Sequence, residues 1–428
     1  MGKTLTKPIV FVVTLLLLVL PVLVACNGGD DDNEPTDAPT QTTAPATEPA
    51  EEITITIGVI SDVTGMAAQA YVLIDLAVAD IVRYYNEENI IPGIKLDVIT
   101  YDGQFDPAKD IPGYEWLKER GADVIFSAVE STPIVLKPRV ERDEIVMFTG
   151  SAQKEGLEPP GWIFATAQPQ EESFYTFLKW IAENDWDYQT KGPAKIGLTN
   201  WNVPLDVMIA GAIERYTKEH PDQFEWVGSY FTDFSFTWGP EIEALKDCDY
   251  LVPPTVIMSN FARDYRHAGH TAKFIGYDAH LAYFGNVADA NVWDQVDDAL
   301  FYRGAKYWNE DGPIINLAKD LLHKYHPDQA DSVIRDGIGY TALATAYQML
   351  EIIANTIETV GAENFNSQAL YETAERYSLS LDGLDDYANF SPTKRTSFNY
   401  IAIYEMDAEA EDIFRLEPGV WHRIVTEP

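Results

Sequence analysis

The chain has 428 residues, 46% of them apolar, 23% charged and 12% aromatic, which allows a sizeable core and excludes wholesale disorder. Its 30 Lys plus Arg against 68 Asp plus Glu leave a net charge of −38, a balance that repels nucleic-acid phosphates and anionic lipid headgroups. Only Cys26 and Cys248 occur, so a disulfide-stapled scaffold and a cysteine-rich zinc module are excluded.

The amino terminus reads as an address. Lys3 and Lys7 precede an apolar run over 9–25, which closes on Leu23-Val24-Ala25-Cys26. A basic start, a short apolar stretch and small residues before a cut describe a secretory signal over 1–25. The run is near the lower limit for spanning a bilayer, and Pro21 interrupts it, so cleavage is preferred to a one-pass anchor. The cysteine after Ala25 makes the segment resemble the bacterial lipobox, which implies acylation of Cys26 and attachment through lipid alone. Residues 26–52 are rich in Asp, Thr, Pro, Ala and Glu, lack aromatic residues and basic charge, and are expected to form a solvated tether. Residues 53–428 still hold 28 basic and 60 acidic side chains, a balance of −32. Cys248 is then left alone, expected as a small buried hydrophobe with an inert thiol.

Beyond the tether, strand and helix patterns alternate. Residues 53–60 alternate Ile with Thr and then run apolar, a strand; 67–85 carry apolar residues at three- and four-residue spacing, a helix. Strands follow at 95–101, 123–129 and 145–149, with helices at 108–120 and 133–142 between them. Such spacing indicates βαβ units and a parallel sheet, and the wholly apolar strands indicate a sheet covered on both faces. After a break near 166–169 the alternation restarts with a helix at 172–183, a strand at 195–199 and a helix at 207–219. Segments at 224–231, 241–245, 250–259, 261–267 and 273–277 continue it. A long helix over 339–359 buries Leu343, Ala346, Met349, Leu350, Ile353 and Ile357, and a strand at 398–404 closes the series.

Sequence motifs of chemistry are missing. There is no P-loop, no Gly-x-Ser-x-Gly and no His-Glu-x-x-His. The close pairs His267/His270 and His323/His326 fall at helix ends among polar residues, where surface capping explains them better than a metal. No cofactor and no metal are expected.

The ordered set of segments resembles the type I solute-binding proteins of ABC importers, in their leucine/isoleucine/valine-binding branch. Ile57-Gly58-Val59-Ile60-Ser61-Asp62-Val63-Thr64-Gly65 is similar to that family's opening strand and loop. Tyr101-Asp102-Gly103 with Pro107 resembles its second strand and following Asp-Pro loop. Residues 123–132 and 146–153 resemble the third and fourth strands with their ligand loops. Phe164-Ala165-Thr166 resembles the first hinge crossing, and Ala272-Lys273-Phe274-Ile275-Gly276 the strand before an acidic ligand residue. The likeness runs from residue 53 to about 406.

The resemblance implies two α/β lobes, each an open and mostly parallel sheet with helices on both faces, joined by three hinge crossings. Lobe 1 would comprise 53–168 and 304–388, and lobe 2 would comprise 169–303 and 389–428. A small solute, an amino acid or a related amine or amide, would bind between them and pass to an ABC permease. The protein would act as an extracytoplasmic, lipid-anchored monomer. A sensory receptor of the same fold and an anchored hydrolase using cleft carboxylates are the alternatives. Carried over residue by residue, the ligand's carboxylate would meet Glu130, Ser131 and Thr132 after the third strand, and Ser151, Ala152 and Gln153 after the fourth. Asp278, with Tyr277 beside it, would receive the ammonium, and Trp201 would supply an aromatic wall or else pack in the core. Glu130 departs from the family pattern, since a carboxylate there repels a ligand carboxylate. Either Glu130 turns outward and Ser131 or Thr132 takes over, or the ligand is cationic or neutral.

Overall fold

A computed structural model describes residues 53–151 and 153–428. The signal and tether over 1–52, the lipidation site Cys26, and Ala152 lie outside the described residues. Among the described residues no helix is long and apolar enough to cross a membrane.

Two main sheets organise the chain. The first contains β1 (Ile53–Ser61), β2 (Ile94–Asp102), β3 (Val124–Ser127), β4 (Met147–Thr149) and β5 (Ile163–Ala165) in the order β2-β1-β3-β4-β5, all parallel. Ile57 lies opposite both Val98 and Val124, which sets the central register. Helices cover both faces. On one, Ile55, Ile57 and Val59 meet Ala77, Val78 and Ile81 of the Ala68–Glu87 helix, against which the Pro313–Tyr325 and Leu343–Val360 helices pack. On the other, Ile60, Ile125 and Met147 meet Tyr114 and Leu117 of Asp110–Glu119 and Leu136 and Val140 of Thr132–Asp143. Burial on both sides is why β3 and β4 carry no polar alternation.

The second sheet contains β6 (Ala194–Trp201), β7 (Phe224–Thr232), β8 (Tyr250–Val252), β9 (Lys273–Tyr277) and β10 (Leu300–Arg303), which run parallel in the order β7-β6-β8-β9-β10. A short hairpin of β11 (Ser378–Leu381) and β12 (Leu384–Asn389) stands apart. The chain then returns antiparallel to β10 as β13 (Tyr400–Asp407), flanked by β14 (Asp412–Arg415) and β15 (His422–Arg423). Phe174, Phe177 and Ile181 of Gln170–Asn184 and Ile209 and Ile213 of Pro204–Glu219 pack on Ile196, Leu198, Ile275 and Tyr302.

The chain passes between the sheets three times: after β5, after β10 and before β13. The first and third passages run side by side. Ala165 N–H donates to the Arg395 carbonyl at 2.7 Å, and Ser397 N–H donates to the Ala165 carbonyl at 2.9 Å.

Several expected segments shift. The strand expected over 145–149 starts at Met147, and the segment expected over 250–259 divides, because β8 ends at Val252 before Pro253-Pro254. Two prolines without N–H groups cannot continue a ladder. The chain re-forms as the Met258–His267 helix, one element where residues 250–259 and 261–267 were read separately. The long helix begins at Leu343 after a 3-10 turn at Gly339–Ala342. There a Cβ on residue 339 would stand 2.8 Å from Leu73 Cβ, a close approach that needs glycine. His326 is more than a surface cap. Its Nε2 lies 2.9 Å from buried Asp80, which also accepts from Tyr340 Oη at 2.7 Å. Cys248 is buried, and burial pushes its thiol well up from its ordinary range.

Candidate ligand cleft

The carboxyl ends of the strands of both sheets converge on a cleft with two adjoining compartments, of about 180 and 60 Å³. Open α/β sheets present free N–H groups and loop side chains at that end. Tyr71, Glu130, Leu205, Ala279 and Tyr283 border both compartments. The walls touch: Tyr283, after β9, packs with Ala67, Ala70, Tyr71 and Val129.

Ser127 closes β3 and shapes the loop beyond it. Its hydroxyl donates to the Ile60 carbonyl at 2.7 Å and accepts from Val129 N–H at 3.2 Å. Glu130, 9% exposed, follows with its side chain on the cleft wall, and its carbonyl accepts from Gln153 Nε2 at 3.2 Å. Burial raises the Glu130 carboxyl to about 7, against a smaller lowering from its own backbone and the Tyr71 hydroxyl.

Other residues singled out from sequence divide. Ser151 borders the larger compartment, and Trp201 and Tyr277 the smaller. Ser131 is absent from both linings, and Thr132 points into the lobe, donating to Asp110 Oδ1 at 3.2 Å. Gln153, besides holding the Glu130 loop, borders a separate open groove. Trp201 stands edge-on to Phe234 and Phe236, and its Nε1 donates to the Ser235 carbonyl at 2.9 Å, so it serves core and cleft together. Asp278 borders the larger compartment with partners already in hand. Gln168 Nε2 donates to Oδ2 at 2.8 Å, and Arg303 Nη1 stands 3.4 Å from Oδ1. Burial raises Asp278, and Arg303 and Gln168 oppose that rise.

Two charged residues of the cleft escape sequence reasoning. Arg303, 2% exposed, ends β10; its Nε donates to the Ala305 carbonyl at 3.1 Å and Nη2 to Thr341 Oγ1 at 3.2 Å. The apolar run Ala299-Leu300-Phe301-Tyr302 before it was the available signal for a buried strand ending at the cleft. Asp206 sits in the first turn of Pro204–Glu219, 4% exposed, where an acid reads from sequence as a partner of the helix dipole. Its Oδ1 accepts from the Tyr277 hydroxyl and, at 3.4 Å, from Thr255 Oγ1. Asn200 orients Thr255, donating to its Oγ1 at 2.8 Å. Burial raises Asp206 to about 8, with a further push from the Glu130 charge. Nearby His280 is held near 4 by burial and is neutral, its Nε2 bonded to the Pro253 carbonyl.

This arrangement can seat a small solute whose body meets apolar walls and whose polar ends meet fixed partners. The sequence matches the family described as periplasmic binding protein over residues 54–410. Solved structures share its fold. A branched-chain amino acid ABC transporter protein from Thermus thermophilus with bound valine has 18% identity and a TM-score of 0.73, covering 86% of this chain and 96% of that one. A fatty acid ABC transporter substrate-binding protein from Thermomonospora curvata has 16% identity and a TM-score of 0.71, covering 85% and 92%. A solute-binding protein of an ABC transporter from R. palustris, in complex with 4-hydroxybenzoate, has 14% identity and a TM-score of 0.70, covering 87% and 98%. No curated protein sequence matches the chain. With a cleft at the strand carboxyl ends of two α/β lobes and a family match across most of its length, the chain belongs to the periplasmic binding protein family and has its two-lobed type I fold.

Proposed function

We propose that the chain is an extracytoplasmic receptor that captures a small solute bearing an amino or amide group and delivers it to an ABC permease. The observation that carries this reading is the divided cleft, in which fixed polar groups converge among apolar walls. Lobe 1 is then 53–168 with 304–388, and lobe 2 is 169–303 with 389–428. Closing them over the solute expels water and strengthens each polar contact. The protein works by binding alone, as a monomer. Proteins of the same fold include one with bound valine, one of a fatty acid transporter and one in complex with 4-hydroxybenzoate, so the fold leaves the ligand to the cleft residues.

Native mass spectrometry of the purified protein, followed by calorimetric titration with amino acids, amines and short amides, tests the reading. Micromolar affinity, about −8 kcal/mol, is the expected result; no bound species and no heat across the set would sink it. Acylation of Cys26 is tested separately, since Cys26→Ser should move the protein from the membrane fraction to the supernatant.

A further inference from the structure

Charge is distributed unevenly along the cleft. The smaller compartment is bordered by Glu130 and Asp206, and no Lys, Arg or His stands among its described lining residues. Aromatic rings make up much of the rest: Tyr71, Phe105, Trp201 and Tyr283. Both hydroxyl donors of Asp206 go to Oδ1, and no protein donor reaches Oδ2 among the described residues. Glu130 is nine-tenths buried, and its carboxylate has its own backbone N–H and the Tyr71 hydroxyl beside it but no cation among the described lining residues. Two buried carboxylates with no protein cation are costly unless something positive joins them. An ammonium ion does so, and the aromatic faces add to its attraction. Asp278 is differently placed, because Arg303 stands 3.4 Å away and balances its charge while Gln168 donates to its Oδ2.

We propose that the smaller compartment is an ammonium subsite, in which Glu130 and Asp206 receive the charged nitrogen of a monoamine whose apolar body fills the larger compartment. The proposal rests on the solute-binding reading above and moves the cation from Asp278 to a pair of acids facing each other across the cleft. The body of the ligand meets Ile74, Phe126, Ala167, Ile338 and Phe398. A ligand carboxylate in the smaller compartment is repelled by both acids. One in the larger finds Arg303 already neutralised by Asp278.

Four probes with one branched body separate the cases: 3-methylbutylamine, 3-methylbutanol, 4-methylpentanoate and leucine. Titrated calorimetrically into the full protein, the amine should bind and the alcohol should bind at least about tenfold more weakly. Glu130→Gln and Asp206→Asn should each weaken amine binding at least about tenfold. In the unmodified protein, amine affinity should rise between pH 6 and 8 as Glu130 and Asp206 ionise. The titratable groups facing them are Tyr71, Tyr283 and Tyr277, whose hydroxyls burial raises out of that range, and Asp62, whose charge acts on Tyr71 and Tyr283. This arm needs no variant and so survives a folding defect. Tightest binding by 4-methylpentanoate or leucine, loss carried by Asp278→Asn instead of the two acids, an amine affinity flat in pH, or no binding by any probe each overturns the ammonium subsite. Binding of leucine or the acid alone leaves the solute-binding reading standing; that reading falls only if native mass spectrometry also finds nothing bound.

Discussion

Glu130 and Asp206 set up a conflict between stability and binding. Their folded carboxyls sit at about 7 and about 8, against ordinary values near 4. Between those limits the folded state holds more protons than the unfolded state. The contribution of these two groups to stability is therefore greatest at low pH and falls as pH rises toward 7–8, opposite to that of a salt-bridged carboxylate. Glu130→Gln removes one of these charges. Its melting temperature at pH 8 should exceed that of the unmodified protein, by an amount corresponding to at most about 3 kcal/mol, and the gain should vanish near pH 4. A Glu130→Gln melt below the parent's at pH 8 would contradict this account. Buried Arg303 and half-buried Asp278 form the contrasting case, an ion pair on the cleft wall. Arg303→Met strands Asp278 with Gln168 alone and should cost about 3–5 kcal/mol in urea unfolding, while adding Asp278→Asn should recover most of it. The pair was illegible in sequence because Asp278 follows β9 and Arg303 ends β10, 25 positions apart, and only the pairing of those two strands brings them together.

Among elements, the 3-10 turn at Gly339–Ala342 is a tight seat on the cleft wall. It lies against the Ala68–Glu87 helix, and Ala70 of that helix and Gly339 both border the larger compartment. A methyl group on residue 339 meets Leu73 Cβ at 2.8 Å and the Ala70 carbonyl oxygen at 3.1 Å. Gly339→Ala should thus cost about 1–3 kcal/mol by denaturant titration and weaken solute binding by displacing the wall. An unchanged denaturation midpoint would mean the helix gives way freely. Elements with strong periodicity were readable from sequence: β1, β2, the helices after them and the apolar stripe of Leu343–Val360. The short buried strands β3 and β4 were read as apolar runs, but β5 and β10 were not. β5 and β10 have three and four residues, too few for any period to show, and their membership in a sheet depends on neighbours supplied by distant chain.

At the scale of the whole molecule, two lobes linked by three strand-like passages and meeting through Tyr283 and Tyr71 are built to open and close. Small-angle scattering should give a radius of gyration that falls when a bound solute is added; an unchanged radius would point to a rigid cleft. The net charge of −38 attracts cations from a distance. Association of 3-methylbutylamine should accordingly slow as salt rises from 10 to about 300 mM, while dissociation changes little; stopped-flow fluorescence of the aromatic cleft reads both.

The sequence alone determined the acidic body, the alternating α/β class, the restart near residue 166 and the family resemblance, because these depend on composition and short-range periodicity. It also identified Glu130 as the odd residue of the cleft, since one carboxylate at a carboxylate-binding position is a local contradiction. Tertiary structure decided which acids face one another. Asp206 became a partner of Glu130, and Asp278 of Arg303, only when two sheets brought their strand ends to one cavity. Burial and charge pairing are properties of that meeting, and no single stretch of chain carries them.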